Sequence, residues 1–309
     1  MRAMRIADSA GRPVLIEQDI PRPAPGPGEV LVRVRAAGVT PTELAWYPTS
    51  HTRNGDPRPG AVPSHEFCGR IAEIGGGIEE SWAGQEVYGM NDWFADGALA
   101  EYCVTRPEWI APKPRHLGYA EAAAAPIGAL TAWQGLFDRA KLQPGERVLV
   151  HGGAGAVGSF AVQLARSHGA DVTATASPRN FDFVTALGAN HVIDYNAAPF
   201  ENQVRDVDVV FDAVGGDTLR RSWGVLKPDG RLVTIAADNA ATADARTKKA
   251  FFIVEPNRAQ LVEIGRLLDA GTLRAVVDAE VPFSRAAEAY AGTVERHGRG
   301  KLVVVLEPF

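Results

Sequence analysis

Apolar positions along this 309-residue chain follow two different rhythms. Up to about residue 118 they form short runs between turn signals. Residues 30–35, Val-Leu-Val-Arg-Val-Arg, follow a Pro- and Gly-rich segment at 21–28, and residues 69–74, Gly-Arg-Ile-Ala-Glu-Ile, precede three glycines. Alternating runs bounded by Gly and Pro predict strands, so the first third reads as a β-rich unit. The proline-rich segment is either a flexible linker or a rigid approach to the strand, and the alternation right after it favours the second.

From about residue 120 the pattern lengthens. An alanine-rich stretch to Ala140 predicts helix, after which apolar runs alternate with segments of helical period. Strands are predicted at 147–150, 171–176, 191–193, 207–211 and 231–235, and helices at 156–168, 180–187 and 218–226. These strands are continuous Val-rich runs, which implies cover on both faces and hence a parallel, doubly wound sheet. Gly169, Gly188 and Gly230 stand where helix or turn hands over to strand. Residues 251–254, Phe-Phe-Ile-Val, predict a further strand, and Pro256 suits the first turn of a helix running to Ala270. Segments at 272–281 and 301–306, with a helix from Ser284 to about Glu295, are expected to rejoin the β-rich unit. One domain would then comprise residues 1–118 and 255–309, interrupted by a second at 119–254. No fixed-period repeat or low-complexity tract is visible.

Composition agrees with two soluble domains of about 150 residues each. Apolar residues at 46% and charged ones at 22% argue against a disordered, collagenous or coiled-coil chain. The net charge is −5 and the basic residues are scattered among acidic ones, so no nucleic-acid partner is expected. Cys68 and Cys103 alone cannot build a disulfide framework or a four-thiolate zinc site. The start has no apolar leader, no uncharged apolar run reaches membrane-spanning length, and the final Leu-Glu-Pro-Phe is neither a prenylation nor a peroxisomal signal. These features predict a cytoplasmic protein without a membrane partner.

The candidate chemistry begins at residues 151–158, His-Gly-Gly-Ala-Gly-Ala-Val-Gly. Gly153, Gly155 and Gly158 form G-x-G-x-x-G between a predicted strand and a predicted helix, and Ala156 and Val157 complete the turn. In that context the glycines permit a tight turn, close backbone approach to a pyrophosphate and close helix packing, with helix N–H groups facing the anion. A glycine-rich turn without a ligand is the alternative. About 20 residues further on, an acid would accept from a ribose 2′-hydroxyl. Residues 173–180 contain none, and Ser177 and Arg179 stand there instead. A guanidinium can bind a 2′-phosphate bidentately, so NADPH is expected in preference to NADH. Otherwise Ser177 caps the next helix and Arg179 is solvated.

Taken together with residues 25–39 (PGPGEVLVRVRAAGV), the segment from His65-Glu66 to Gly75, residues 187–195 (LGANHVIDY) and residues 298–306 (GRGKLVVVL), this loop resembles the medium-chain dehydrogenase/reductase superfamily, in its zinc-free quinone oxidoreductase-like branch. The resemblance spans nearly the whole chain. It implies an α/β protein in which a GroES-like β-barrel catalytic domain is interrupted by a Rossmann-type doubly wound domain, with the active site between them and usually a homodimer. Zinc members place Cys after A-A-G-V, His in G-H-E and a third ligand near the start of the second domain. Here Thr40 replaces the Cys, His65 remains, and residues 126–128, Pro-Ile-Gly, offer no ligand. His65 and Cys68 fall short of the three protein ligands of a catalytic zinc, so no metal is expected. His65 is expected to be structural, with Glu66 as its neighbour.

Without a Lewis acid the substrate must be electrophilic already, which points to a quinone or an α,β-unsaturated carbonyl. The reduced acceptor then needs a proton from water or a side chain. In similar proteins the stretch after A-A-G-V lies beside the nicotinamide and often carries Asn, Asp and Tyr. Here Thr40 and Glu43 replace the Asn and Asp, and Tyr47 is a candidate proton donor. Tyr47 could equally join Trp46 in an apolar wall, and Glu43 could bond a hydroxyl or anchor its loop. By resemblance, Thr131, Val157, Tyr195, Ala236, Phe252, Val254 and Lys301 are further candidate cofactor contacts, although Lys301 also reads as a surface-turn lysine. Trp93 and Phe94 are candidates for the acceptor pocket or the core, and residues 51–59 for a lid or a disordered tip. The competing functions are a zinc-type alcohol dehydrogenase and a non-catalytic NADPH-binding sensor or structural protein.

Overall fold

The alternating runs of the first third pair as antiparallel sheet. The computed structural model describes residues 1–9, 12–236 and 244–306. A hairpin of β1 (Arg2–Ser9) and β2 (Arg12–Asp19) leads through the proline-rich segment to β3 (Val30–Gly38). A 3-10 turn at Pro41–Ala45 and a short α1 (Tyr47–Ser50) follow, then β4 (Glu66–Ile74), β5 (Glu86–Met90), β6 (Tyr102–Thr105) and β7 (Ile110–Pro112). β3 is buried along most of its length because β4 and β6 both pair with it and the far end of the chain covers its remaining edge.

The alanine-rich stretch is not one helix. α2 (Tyr119–Ala123) stops, α3 (Pro126–Trp133) restarts with Pro126 at its first position, and a π-helical segment Gln134–Arg139 completes it. Proline lacks the N–H that a continuous helix needs, and its ring suits a new first turn. Strand and helix then alternate through β8 (Arg147–His151), α4 (Gly158–Ser167), β9 (Asp171–Ala176), α5 (Phe181–Ala186), β10 (His191–Asp194), β11 (Val207–Asp212), α6 (Gly216–Ser222) and β12 (Leu226–Thr234). All five strands are parallel in the order β10-β9-β8-β11-β12. The chain reverses direction across the sheet at β8, and a crevice opens there outside the strands' carboxyl ends.

The strand expected at 251–254 does not form. After α7 (Ala245–Ala250), Phe251 makes one parallel bridge to Thr234 and Phe252 N–H bonds the Thr234 carbonyl. Side chains then take the backbone groups: Trp93 Nε1 donates to the Val254 carbonyl and Gln134 bonds both Glu255 N–H and its carbonyl. α8 (Arg258–Asp269) starts later than Pro256 suggested, because Asn257 caps it by accepting from Gln260 N–H.

The chain then rejoins the first sheet as expected. β13 (Val277–Pro282) lies parallel to β14 (Lys301–Val305), which pairs antiparallel with β3. Between them α9 (Ala286–Ala291) is shorter than the expected helix, ending at Gly292 in the left-handed conformation (φ 74°). One core lies within the barrel, around Val32, Phe67 and Leu99; another runs beneath α2, α3 and the parallel sheet, around Leu130, Phe160 and Phe211. Among the described residues no helix is long and apolar enough to cross a membrane.

Candidate active site

The glycine loop leaves β8 with Gly152 at φ 76°, and each following glycine answers a different steric demand. A Cβ on Gly158 would collide with the Gly152 carbonyl, and one on Gly153 would sit 2.9 Å from Ala174 Cβ. Gly155 is different, since only the Gly152 carbonyl, at 3.4 Å, approaches its Cβ direction. Space is therefore open beside Gly155, whose N–H donates to the Gly152 carbonyl and whose carbonyl accepts from Ser159 N–H, each at 3.0 Å, at the N-terminus of α4.

A cleft of about 360 Å³ opens over this loop, and Gly155, Ala156, Val157, Gly158, Ser177, Arg179 and Tyr195 line it. Among the described residues, no carboxylate does. Arg179 is exposed and has no ion-pair partner among the described residues. Ser177 precedes the 3-10 turn Pro178–Asn180 without capping it through its side chain, so the helix-capping role does not apply.

Two neighbours of this cleft escaped the sequence reading. Gly300 N–H donates to the Ala154 carbonyl at 2.8 Å, and Arg299 bonds Asn180 Oδ1 and the Arg179 carbonyl, each at 2.8 Å. The C-terminal turn thus clamps both the glycine loop and the start of α5. At the end of β11, buried Asp212 accepts from Val214 N–H, Gly215 N–H and Thr234 Oγ1 and shapes the turn next to Ala236. Burial pushes its carboxyl up, against the pull of these bonds. Buried His151 ends β8 between the Thr175 and Ser222 hydroxyls, and desolvation followed by the Arg221 charge lowers its pKa to about 3.

On the barrel side, β3 delivers Thr40 to a charge cluster. Lys301, at the start of β14, is only 6% exposed and is therefore not a surface-turn lysine. Its Nζ donates to Thr40 Oγ1 at 2.8 Å and pairs with Glu66, whose other oxygen accepts from Ile127 N–H at 2.9 Å. Burial raises the Glu66 pKa, opposed by the Lys301 charge and its hydrogen bond.

His65 does not have Glu66 as its partner, because successive side chains on a strand point to opposite faces. It lies 2.7 Å from Glu43 Oε2 through Nδ1. Glu43 is fully buried, and its Oε1 accepts from Tyr290 Oη at 2.5 Å and Ser64 N–H at 2.9 Å. Both carboxylate oxygens of Glu43 thus have partners within the protein, which ties its loop to β4 and α9. Burial and the Glu43 charge hold the Tyr290 phenol well above its ordinary pKa.

The aromatic candidates divide. Trp46 meets Trp93 edge-on at 5.0 Å, and Trp93 also lies against His65. Tyr47 turns outward, is 56% exposed and stacks on His51 at 4.5 Å. It is therefore no part of an inner wall. Phe94 lies under the Arg53 guanidinium. Phe252 and Val254 are buried in the second core, which also takes in Ala154 of the glycine loop and has Val157 packed against it, and buried Thr131 donates its hydroxyl proton to the Ile127 carbonyl. Among the described residues, no three His, Cys, Asp or Glu side chains are placed to hold a metal ion.

The chain is similar to known proteins over nearly its whole length. Residues 26–115 match the alcohol dehydrogenase GroES-like domain and residues 187–304 the family described as zinc-binding dehydrogenase. The chain is 33% identical to an NADPH-dependent alkenal/one oxidoreductase of Arabidopsis thaliana, across 98% of this chain and 79% of that protein. It is 28% identical to a quinone oxidoreductase of Rattus norvegicus, across 99% and 98%. The structure of the quinone oxidoreductase from Coxiella burnetii superposes with a TM-score of 0.87 at 28% identity, covering 99% of each chain.

Proposed function

Since the chain belongs to the medium-chain dehydrogenase/reductase superfamily, in its quinone oxidoreductase-like branch, we propose that it is an NADPH-dependent, zinc-independent reductase of quinones or α,β-unsaturated carbonyls. The carrying observation is the cleft over the glycine loop, where, among the described residues, Arg179 has no ion-pair partner and no carboxylate joins the lining. Backbone N–H groups of residues 156–158 fit a pyrophosphate, and Ser177 and Arg179, beside Tyr195, fit a 2′-phosphate. A bound nicotinamide supplies hydride. The residues at the zinc positions do not fit a metal. Thr40 is hydrogen-bonded by an ammonium, both ring nitrogens of His65 have partners in Glu43 and the Ala95 carbonyl, and among the described residues no three His, Cys, Asp or Glu side chains are placed to hold a metal. An acceptor activated by its own conjugation needs only to be positioned between the domains and protonated, and the partner is thus a small molecule.

The test is oxidation of NADPH and of NADH by purified protein with a panel of quinones and enones, alongside metal analysis. Strong preference for NADPH with turnover of an acceptor supports the proposal. Stoichiometric zinc would favour the alcohol dehydrogenase reading, and nucleotide binding without turnover of any acceptor the sensor reading.

A further inference from the structure

We infer that the Thr40 hydroxyl is the proton donor to the reduced acceptor, charged by the Lys301 ammonium behind it. This rests on the reductase reading above. An ammonium carries three N–H donors and no acceptor. Lys301 therefore donates to Thr40 Oγ1, and the single Thr40 O–H must point elsewhere. Among the described residues it finds no acceptor. Lys301, Glu66 and Val39 are buried whereas Thr40 is half-buried, so Thr40 is the residue through which this charge cluster reaches accessible surface.

The cluster also stands at the junction of the domains. Gly300, next to Lys301, bonds the glycine loop through Ala154, and Glu66 bonds the first residues of α3 through Ile127 N–H. A hydroxyl that accepts from a cation is polarised into a stronger donor. Hydride addition to an enone or quinone leaves an anionic oxygen. The Thr40 O–H bond breaks as the acceptor's O–H bond forms, and Oγ1 takes a proton from Lys301 Nζ. The neutral amine is reprotonated by water, and an enol so formed reverts to the ketone in solution. Net, one proton is consumed with each hydride. The positive charge behind Thr40 also stabilises the developing oxyanion before the proton moves.

The experiment compares Thr40→Val, Thr40→Ser and the paired variant Lys301→Met/Glu66→Gln, which avoids stranding a buried carboxylate. Turnover is measured on one enone and one quinone, NADPH affinity by titration, and binding of p-nitrophenolate, an oxyanion probe, with and without NADP⁺. Thr40→Val should lower kcat about 100-fold and weaken phenolate binding about tenfold, with NADPH affinity unchanged. Thr40→Ser should restore both, and the paired variant should lower kcat while it still binds NADPH. Turnover and phenolate affinity undiminished in Thr40→Val, or Thr40→Ser no better than Thr40→Val, would overturn the assignment alone if the wild type is active. A wild type that reduces no acceptor but binds phenolate in a Thr40-dependent way removes the reductase reading and keeps the donor site. One that does neither removes both.

Discussion

Glu43 and His65 meet at 2.7 Å in a fully buried site, with the Tyr290 hydroxyl on the other carboxylate oxygen. Three distant segments are tied there: the turn after β3, the start of β4, and α9. The tie sets where the loop carrying Thr40 lies. Glu43→Ala would leave the Tyr290 hydroxyl, Ser64 N–H and the His65 ring without their acceptor. At about 1–3 kcal/mol for each stranded group, the variant should lose at least roughly 3 kcal/mol in urea denaturation. Glu43→Gln, which retains an acceptor oxygen, should lose less. Equal midpoints for wild type and Glu43→Ala would refute the anchoring role.

Arg179→Ala tests the nucleotide assignment. The side chain lines the cleft without an ion-pair partner among the described residues, so its removal should leave folding unchanged. The KM for NADPH should rise by about tenfold or more, in line with loss of a charge-assisted pair, and that for NADH by far less. Similar increases for both nucleotides would reject a 2′-phosphate contact.

Two glycines of the loop, Gly155 and Gly158, should separate folding from binding. Gly158→Val drives a side chain into the Gly152 carbonyl and should destabilise the protein by about 1–3 kcal/mol or more. Gly155→Val meets only one atom, at 3.4 Å, and should stay folded while nucleotide binding collapses. Thermal denaturation and nucleotide titration read the two effects, and loss of binding without loss of stability in both variants would contradict this division.

His151 should impose a pH dependence on stability. Burial lowers its pKa from 6.5 to about 3 in the folded state, so between these values the unfolded chain takes up a proton that the native one refuses. The stabilisation is complete above pH 6.5 and is lost as the pH falls toward 3, at about 1.4 kcal/mol per unit. Denaturation at pH 7 and pH 5 should therefore differ by roughly 2 kcal/mol from this group. His151→Gln should flatten that slope, and an unchanged slope would sink the explanation.

Tyr47→Phe should alter turnover by less than about twofold, because an exposed phenol stacked on His51 shares its proton with water. A large fall in kcat on both quinone and enone would return Tyr47 to the acceptor and displace Thr40.

What the sequence determined by itself is what short-range physics controls. Strand and helix periods, the glycine loop between β8 and α4, and the missing acid after β9 were legible because backbone sterics and hydrophobic alternation act over a few residues. The return of residues 301–306 to the first sheet also followed from pattern, since that run needed a covered place. Tertiary structure alone decided the partners. Glu43 was free to face solvent, substrate or a histidine until β4 and α9 closed over it. Lys301 passed for a surface lysine because its partners Thr40 and Glu66 lie 261 and 235 positions away. The 251–254 run had the composition of a strand, yet its backbone went to Trp93 and Gln134 side chains. A buried polar group must find a partner, but which one depends on the packing of segments distant in the chain, and no local pattern encodes that choice.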